Sequence, residues 1–311
     1  MVPVTRPSSG EAHAARSRRL RQAADLPGSL GACGSVEGRA AGMARGGVPL
    51  LRVGCTSFTV QDEYVPAVRE CVRHAGDISL LLLQAGDHGR DLPSPAVVRE
   101  LKHIADDAGA TWNVHLPTDG DFGSPARARD YMDRVLRALE LSLPLNPHTW
   151  VLHVVTDKRP AVAMQPLLTA ERESLVLRSL GRLRTVLPAP SCLALENLER
   201  HPYGFLDSLI AQSDYSRCFD IGHVWKEGGR PEELLPLWRN RIRMCHLHGV
   251  SGRDHRSLHL MEAARLDPLL HRLWREGFDK PITLEVFSLD DYRNSLRAIN
   301  ASYERYRNSL P

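Results

Sequence analysis

Four of the chain's fourteen histidines fall in the fifteen residues from Cys245 to His259: His246, His248, His255 and His259, with Asp254 among them. Neutral imidazole and carboxylate are the usual ligands of zinc, manganese and iron. Arg241 to Leu247 reads as a strand with Ile242, Met244 and His246 on one face, and it runs into a polar loop holding Gly249 and Gly252. Surface loops also collect histidine, so this stretch alone does not make a metal site. The same grammar recurs along the chain, however: a β-type run, then His, Asp or Glu. His115, His153, Glu196, Asp220 with His223, His246 with His248, Asp254 with His255, and Glu285 all follow such runs.

The elements that must position these groups are legible from about Leu50 onward. Strand-like runs span Arg52 to Phe58, Asp77 to Gln84, Thr111 to His115, Thr149 to Val154, Ser191 to Glu196, Arg217 to Asp220, Arg241 to Leu247 and Pro281 to Val286. Helical patterns separate them. Ser94-Pro95 and Ser124-Pro125 are cap-plus-proline starts, and Thr169 is a third candidate cap. In the last helix, Tyr292, Leu296, Ile299 and Tyr303 recur at spacings of three and four. Strands that alternate with helices pair in parallel, because each return crossover needs a helix. Eight such units in this length predict an α/β fold, a (β/α)8 TIM barrel of about 250 residues. A doubly wound sheet would carry a phosphate-binding glycine motif after its first strand, and none is present.

Residues 1–48 differ in composition. They are rich in Ala, Gly, Arg and Ser and poor in aromatic and β-branched residues. Such a segment buries too little apolar surface to offset its ordering entropy, so a disordered N-terminal extension is expected, with Met43 as an alternative start. The catalytic domain is expected over 49–311. Residues 1–50 hold seven arginines and three acids, a net of +4, whereas the whole chain carries +3; the remainder is therefore near −1. That balance argues against a nucleic-acid partner for the folded part. No run approaches the length of a membrane span. The six cysteines form no CxxC pair and read as buried thiols of a cytoplasmic protein. Oligomeric state is not legible.

Barrel enzymes place their chemistry at the C-terminal ends of the strands. Here the third to the eighth strands each offer a metal ligand at that end, which is more than one ion needs. One to three divalent ions (Zn, Mn or Fe) are expected. Paired ions suit phosphate-ester hydrolysis: they activate water and neutralise phosphate oxygens.

The pattern resembles the xylose-isomerase-like barrel superfamily, which includes apurinic endonucleases and many sugar isomerases and epimerases. The residues that carry the resemblance are His115 in HLP, His153, Glu196 in LEN, Asp220 and His223 in DIGH, His246, Asp254-His255, and Glu285 in LEVF. It implies a metal core of Glu196, Asp220, His246 and Glu285, with His115, His153, His223 and His255 as further ligands. It implies catalytic roles for Glu196, Glu285 and Asp254. One element departs: Asp254-His255 stands where the endonuclease branch has Asp-x-His, which puts a third metal position in doubt. More narrowly, HLPTD, LALENLE, CFDIGH, HLHG, RDH and TLEVFS, in that order, resemble the cobamide-remodelling phosphodiesterases. That resemblance implies hydrolysis of the nucleotide-loop phosphodiester of a small corrinoid, giving cobinamide phosphate and an α-riboside. The alternative is a sugar isomerase or epimerase using one metal and the Glu196/Glu285 pair; an abasic-site endonuclease ranks third. Arg253 and Arg256 are candidates to assist a phosphate oxygen, and Asp119 and Asp121 to position water or a histidine. The loops around Thr59 to Asp62 and Asp87 to Pro93, and the segment Thr156 to Thr169, are expected to face a bulky substrate.

Overall fold

Capped amphipathic helices return the chain after each short apolar run, and the runs close on one another. In a computed structural model, which describes residues 51–85, 91–156 and 164–310, eight parallel strands form a closed barrel. They are β1 (Val53–Thr56), β2 (Asp77–Leu81), β3 (Thr111–His115), β4 (Thr149–His153), β5 (Leu193–Glu196), β6 (Ser216–Asp220), β7 (Ile242–Leu247) and β10 (Ile282–Leu284). The expected (β/α)8 barrel is observed. The segment expected to be disordered, 1–48, lies outside the described residues, as do 86–90 and 157–163 from two of the expected substrate-facing loops. The loop expected after β7 is instead a short antiparallel hairpin, β8 (Gly249–Ser251) with β9 (Arg253–Arg256).

The caps behave as their residue types require. Ser94, Ser124 and Thr169 each accept a hydrogen bond from the main-chain N–H three residues on, and Pro95 and Pro125 open their helices. Each helix packs an apolar face on the barrel. Between strands and helices lies one continuous core that includes Trp112, Trp150, Phe219, Leu235 and Leu270. Inside the barrel, Val151, Ala194, Cys218 and Met244 form a separate apolar cluster from four successive strands. Filling the interior with side-chain layers makes the barrel a core with a floor, and leaves its mouth for chemistry.

The opposite end is closed by a polar network. Asp77 accepts from Asn113 at 2.9 Å and pairs with His148 at 2.9 Å, while Arg243 Nε donates to the His148 carbonyl at 2.8 Å. Buried polar groups need such partners. Cys192 is disulfide-bonded, which corrects the reading of every cysteine as a thiol; Cys55, Cys71, Cys218 and Cys245 are free and buried. Among the described residues no helix is long and apolar enough to cross a membrane.

β1 runs close to β2, and Gly54 permits it. A Cβ at Gly54 would lie 2.5 Å from the Asp77 carbonyl oxygen, a main-chain atom that cannot swing away. Gly54→Ala should therefore lower stability by about 1–3 kcal/mol in urea unfolding; an unchanged midpoint would refute the close approach.

Candidate metal centre

Strand register sets the site's level. His153 lies beside Glu196 in the β4–β5 pair, and Asp220 beside His246 in the β6–β7 pair. Glu285, just past β10, hydrogen-bonds through its N–H to the Leu247 carbonyl. Four elements thus deliver Glu196, Asp220, His246 and Glu285 to one point, with ligand atoms within 4.8 Å of one another. All four are buried: 2, 0, 1 and 6% exposed.

Glu196 is the hub. Its Oε2 lies 3.1 Å from His115 Nε2, 3.2 Å from His153 Nε2 and 3.5 Å from His246 Nδ1, and its Oε1 lies 3.6 Å from His223 Nδ1. His246 Nδ1 is 3.2 Å from Glu285 Oε2. The Asp-x-x-His spacing has a local cause. Asp220 caps the helix Ile221–Lys226, its Oδ1 accepting from the His223 N–H at 2.7 Å. That leaves Oδ2 over the cavity with no hydrogen-bond partner. His223 Nδ1–H in turn donates to the Asn197 carbonyl at 3.0 Å.

The donor set fits a divalent cation. His115 Nδ1–H donates to the Leu116 carbonyl at 3.0 Å, so Nε2 of a neutral ring presents a lone pair to the Glu196 carboxylate. Only a proton or a metal ion relieves that contact. Both nitrogens of His246, Asp220 Oδ2 and Glu285 Oε2 are buried without hydrogen-bond partners. Orphaned polar atoms converging from carboxylates and imidazoles are what a metal centre requires. Glu196 belongs to several ligand groups, among them His115, His153 and Glu196 on one side, and Glu196, Asp220, His246 and Glu285 on the other.

Electrostatics follow from burial and crowding. Burial opposes ionisation of Glu196, but the charges of His246 and His153 and contact with His115 hold its carboxyl well below the ordinary value. Burial likewise opposes charge on Glu285, and His246 overrides it downward. Desolvation would lower His223, yet the Asp220, Glu196 and Glu285 carboxylates raise it to about 9. Desolvation wins at His153, which is lowered. Burial pushes the Cys218 thiol beneath His246 up to about 12, so it stays protonated.

His115, His153, Glu196, Asp220, His223, His246 and Glu285 are thus brought together as expected. His255 joins at the rim, its ring 4.3 Å from His248 and 6.0 Å from His223. Asp254 does not join. Its Oδ2 lies 2.5 Å from Lys226 Nζ, and Lys226 also pairs with Glu199. Asp254, expected as a catalytic residue, thus lies with Lys226 outside the cluster, while His255, with a left-handed backbone (φ 50°), sets its ring beside His248. His259 is also apart, bonded through Nδ1 to the Ser257 hydroxyl at 2.7 Å. Asp121 accepts from the Gly123 N–H and pairs with Arg127, and Asp119 pairs with Arg134, so both serve their loop. Arg253 is exposed and Arg256 half-buried on the hairpin.

Asn197 escaped the sequence reading as a supporting residue, and His248 was named there only as a candidate ligand. Asn197 bridges β5 to β6 with its side-chain amide, donating to the Asp220 carbonyl at 2.8 Å and accepting the Asp220 N–H at 2.9 Å. Its place directly after Glu196 was the available signal. His248 packs its ring against Gly222, where a Cβ would lie 2.1 Å from Cε1. Its Nε2 lies 3.4 Å from Asp220 Oδ1.

Residues 78–304 match the model of the xylose isomerase-like TIM barrel family. The chain belongs to this family. No curated protein matches the sequence. Solved structures share the fold at low identity. A D-tagatose 3-epimerase-like protein is 18% identical with a TM-score of 0.65, covering 84% of this chain and 100% of its own. D-psicose 3-epimerase from Clostridium cellulolyticum H10 is 12% identical with a TM-score of 0.60, covering 84% and 99%. 3-keto-D-glucoside 4-epimerase from E. coli is 13% identical with a TM-score of 0.59, covering 83% and 99%. These relatives are sugar epimerases by name, not phosphodiesterases, and at such identity they establish the fold alone.

Two outcomes follow. Glu196→Gln is nearly isosteric, so it should keep the thermal transition while reducing bound metal at least tenfold by elemental analysis; full metal content would remove Glu196 from the hub. Metal must also displace the protons on His223, raised to about 9, and on His246, raised well above 6.5. Zinc affinity should therefore climb with pH from about 6.5 and level off above about 9, with protons released on binding. Calorimetry in buffers of different ionisation enthalpy reads this directly, and uptake without proton release would contradict it.

Proposed function

We propose that the protein is a metal-dependent phosphodiester hydrolase, and that its substrate is a small corrinoid, the nucleotide loop of a cobamide. The observation that carries this reading is the Glu196 carboxylate shared among ligand groups on two sides, one of them made with His115 and His153. Divalent ions bound there would activate water and neutralise phosphate oxygens. The chain's own residues hold and aim that centre. His115 and His153 fix one side of Glu196, and Asp220, His246 and Glu285 fix the other. His223 and His255 commit Nδ1 to the Asn197 and Glu285 carbonyls, which leaves each Nε2 to serve as a metal ligand. The apolar rim includes Phe58, Met164 and Leu167, each exposed and available to a bulky ligand. Hydrolysis adds water across the bond between phosphorus and the ribose oxygen, giving cobinamide phosphate and an α-riboside.

The second reading is a sugar epimerase or isomerase, and the named structural relatives favour it over cobamide hydrolysis. It would use one metal with Glu196 and Glu285 as the proton-transfer pair. Against this stand His115 and His153 on Glu196, which one metal and two carboxylates would not need.

The two readings separate by product and by variant. Zinc- or manganese-loaded protein incubated with adenosylcobalamin should release cobinamide phosphate, resolved by chromatography. An intact cobamide pool alongside epimerised ketose would support the sugar reading instead. His115→Ala should cost hydrolysis on the order of 10²–10³-fold, the usual loss when a stabiliser of transition-state charge is removed. An epimerase built on Glu196, Asp220, His246 and Glu285 alone should barely respond.

A further inference from the structure

A second polar site lies outside the barrel wall and shares no residue with the metal centre. Arg217 stands near the start of β6, three residues before Asp220. The next residue, Cys218, belongs to the cluster inside the barrel. The Arg217 side chain instead enters a cleft between the helices Asp207–Ala211 and Pro231–Trp238. Its lining includes Asp207, Ile210, Arg217, Leu237, Trp238 and Arg241. Only 2% of Arg217 is exposed.

The guanidinium is only partly satisfied. Its Nη2 donates to Asp207 Oδ1 at 2.6 Å, and its Cζ lies 4.0 Å over the centre of the Trp238 ring. Nε and Nη1 are buried with no acceptor, and so is Nε1 of Trp238, the ring beneath. A buried donor without an acceptor forfeits its hydration, so three together are exceptional. Arg241 adds charge but no acceptor, because its Nη2 donates to the Ile210, Ser213 and Tyr215 carbonyls. Two guanidinium groups against one carboxylate leave the lining with a net positive charge. Burial lowers Arg217 and raises Asp207 although the two are paired, so their pairing does not fully offset desolvation.

These features define the ligand. It must carry negative charge, accept several hydrogen bonds and need no acceptor in return. The cleft has room for little more than a water-sized particle, which excludes phosphate and carboxylate groups. A water fits the space, but its own hydrogens would find Asp207, whose Oδ1 already accepts from Arg217. A halide has no hydrogens to place.

We propose that this cleft is a binding site for a monatomic anion, chloride, held by Arg217 and Trp238. The anion completes the ion pair on the outer face of β6 and ties that strand to the two helices over it. The site depends on neither the metal nor the reaction assigned above.

The test uses bromide as an anomalous stand-in and chloride in solution. Crystals of the full chain soaked in sodium bromide should give an anomalous peak at the bromine edge in contact with Arg217. In thermal melts at constant ionic strength, replacing gluconate by chloride should raise the midpoint by roughly 2–4 °C once chloride exceeds its dissociation constant several-fold. That rise should vanish in the charge-neutral pair of substitutions Arg217→Met with Asp207→Asn. Arg217→Gln with Asp207→Asn serves if the methionine form does not fold. A cleft free of anomalous density in bromide-saturated crystals would overturn the inference, whichever variants fold. A peak there without any chloride-dependent rise would mean an adventitious ion only, and would overturn it too. So would an equal rise in the wild type and the folded double variant, since the anion would then act elsewhere.

Discussion

Three carboxylates buried side by side are the constraint on which the rest of this barrel depends. Glu196, Asp220 and Glu285 are almost fully removed from water. Unpaired buried charge costs several kcal/mol per group even after relaxation. The fold surrounds them with imidazoles: His115, His153 and His246 touch Glu196, His246 touches Glu285, and His223 and His248 flank Asp220. Protons on those rings, or metal ions in their place, make the cluster tolerable. The surrounding carboxylates accordingly raise His223 and His246 against the opposing effect of burial. Barrel closure enforces the arrangement, since β5, β6, β7 and β10 cannot separate without breaking a parallel ladder.

Supporting contacts all act on the direction of a ligand. Asn197 locks the ends of β5 and β6 together through both halves of its amide. Asp220 divides its two oxygens between a helix cap and the cavity, which is why His223 stands three residues on. Gly222 makes room for the His248 ring, and His248 faces the cap oxygen of Asp220. Orienting partners of this kind tune a centre as strongly as its ligands do.

Much of this was legible in the sequence. Each strand end carrying His115, His153, Glu196, Asp220, His246 or Glu285 stands out because a β-type run stops at a ligand, and closure turns six separate ends into one cluster. Asp254 misled because the left-handed backbone at His255, which sequence does not announce, separates the directions of the two neighbours. The hairpin was read as plain loop because its strands are only three and four residues long, too short to show a period. His248 could not be separated from the ligands, since its role is set by the N–H of His255 reaching its ring. The Asp77–His148–Arg243 network at the far end left no local signal either, because its members come from β2, the turn before β4, and β7. The epimerase fold relatives show the other limit: one barrel hosts many chemistries, and only the groups at its mouth decide among them.

The claim at the centre of this account is that Glu196 is shared by metal ions. Anomalous X-ray diffraction on zinc-soaked crystals of the full chain tests it most directly. The account requires a peak at about 2.0–2.2 Å from oxygens of Glu196 and Glu285 and from a His246 nitrogen, and a neighbouring peak reached by His115, His153 and Glu196. A mouth free of anomalous density in zinc-saturated crystals, or a single ion that leaves Glu196 on the histidines alone, would contradict it.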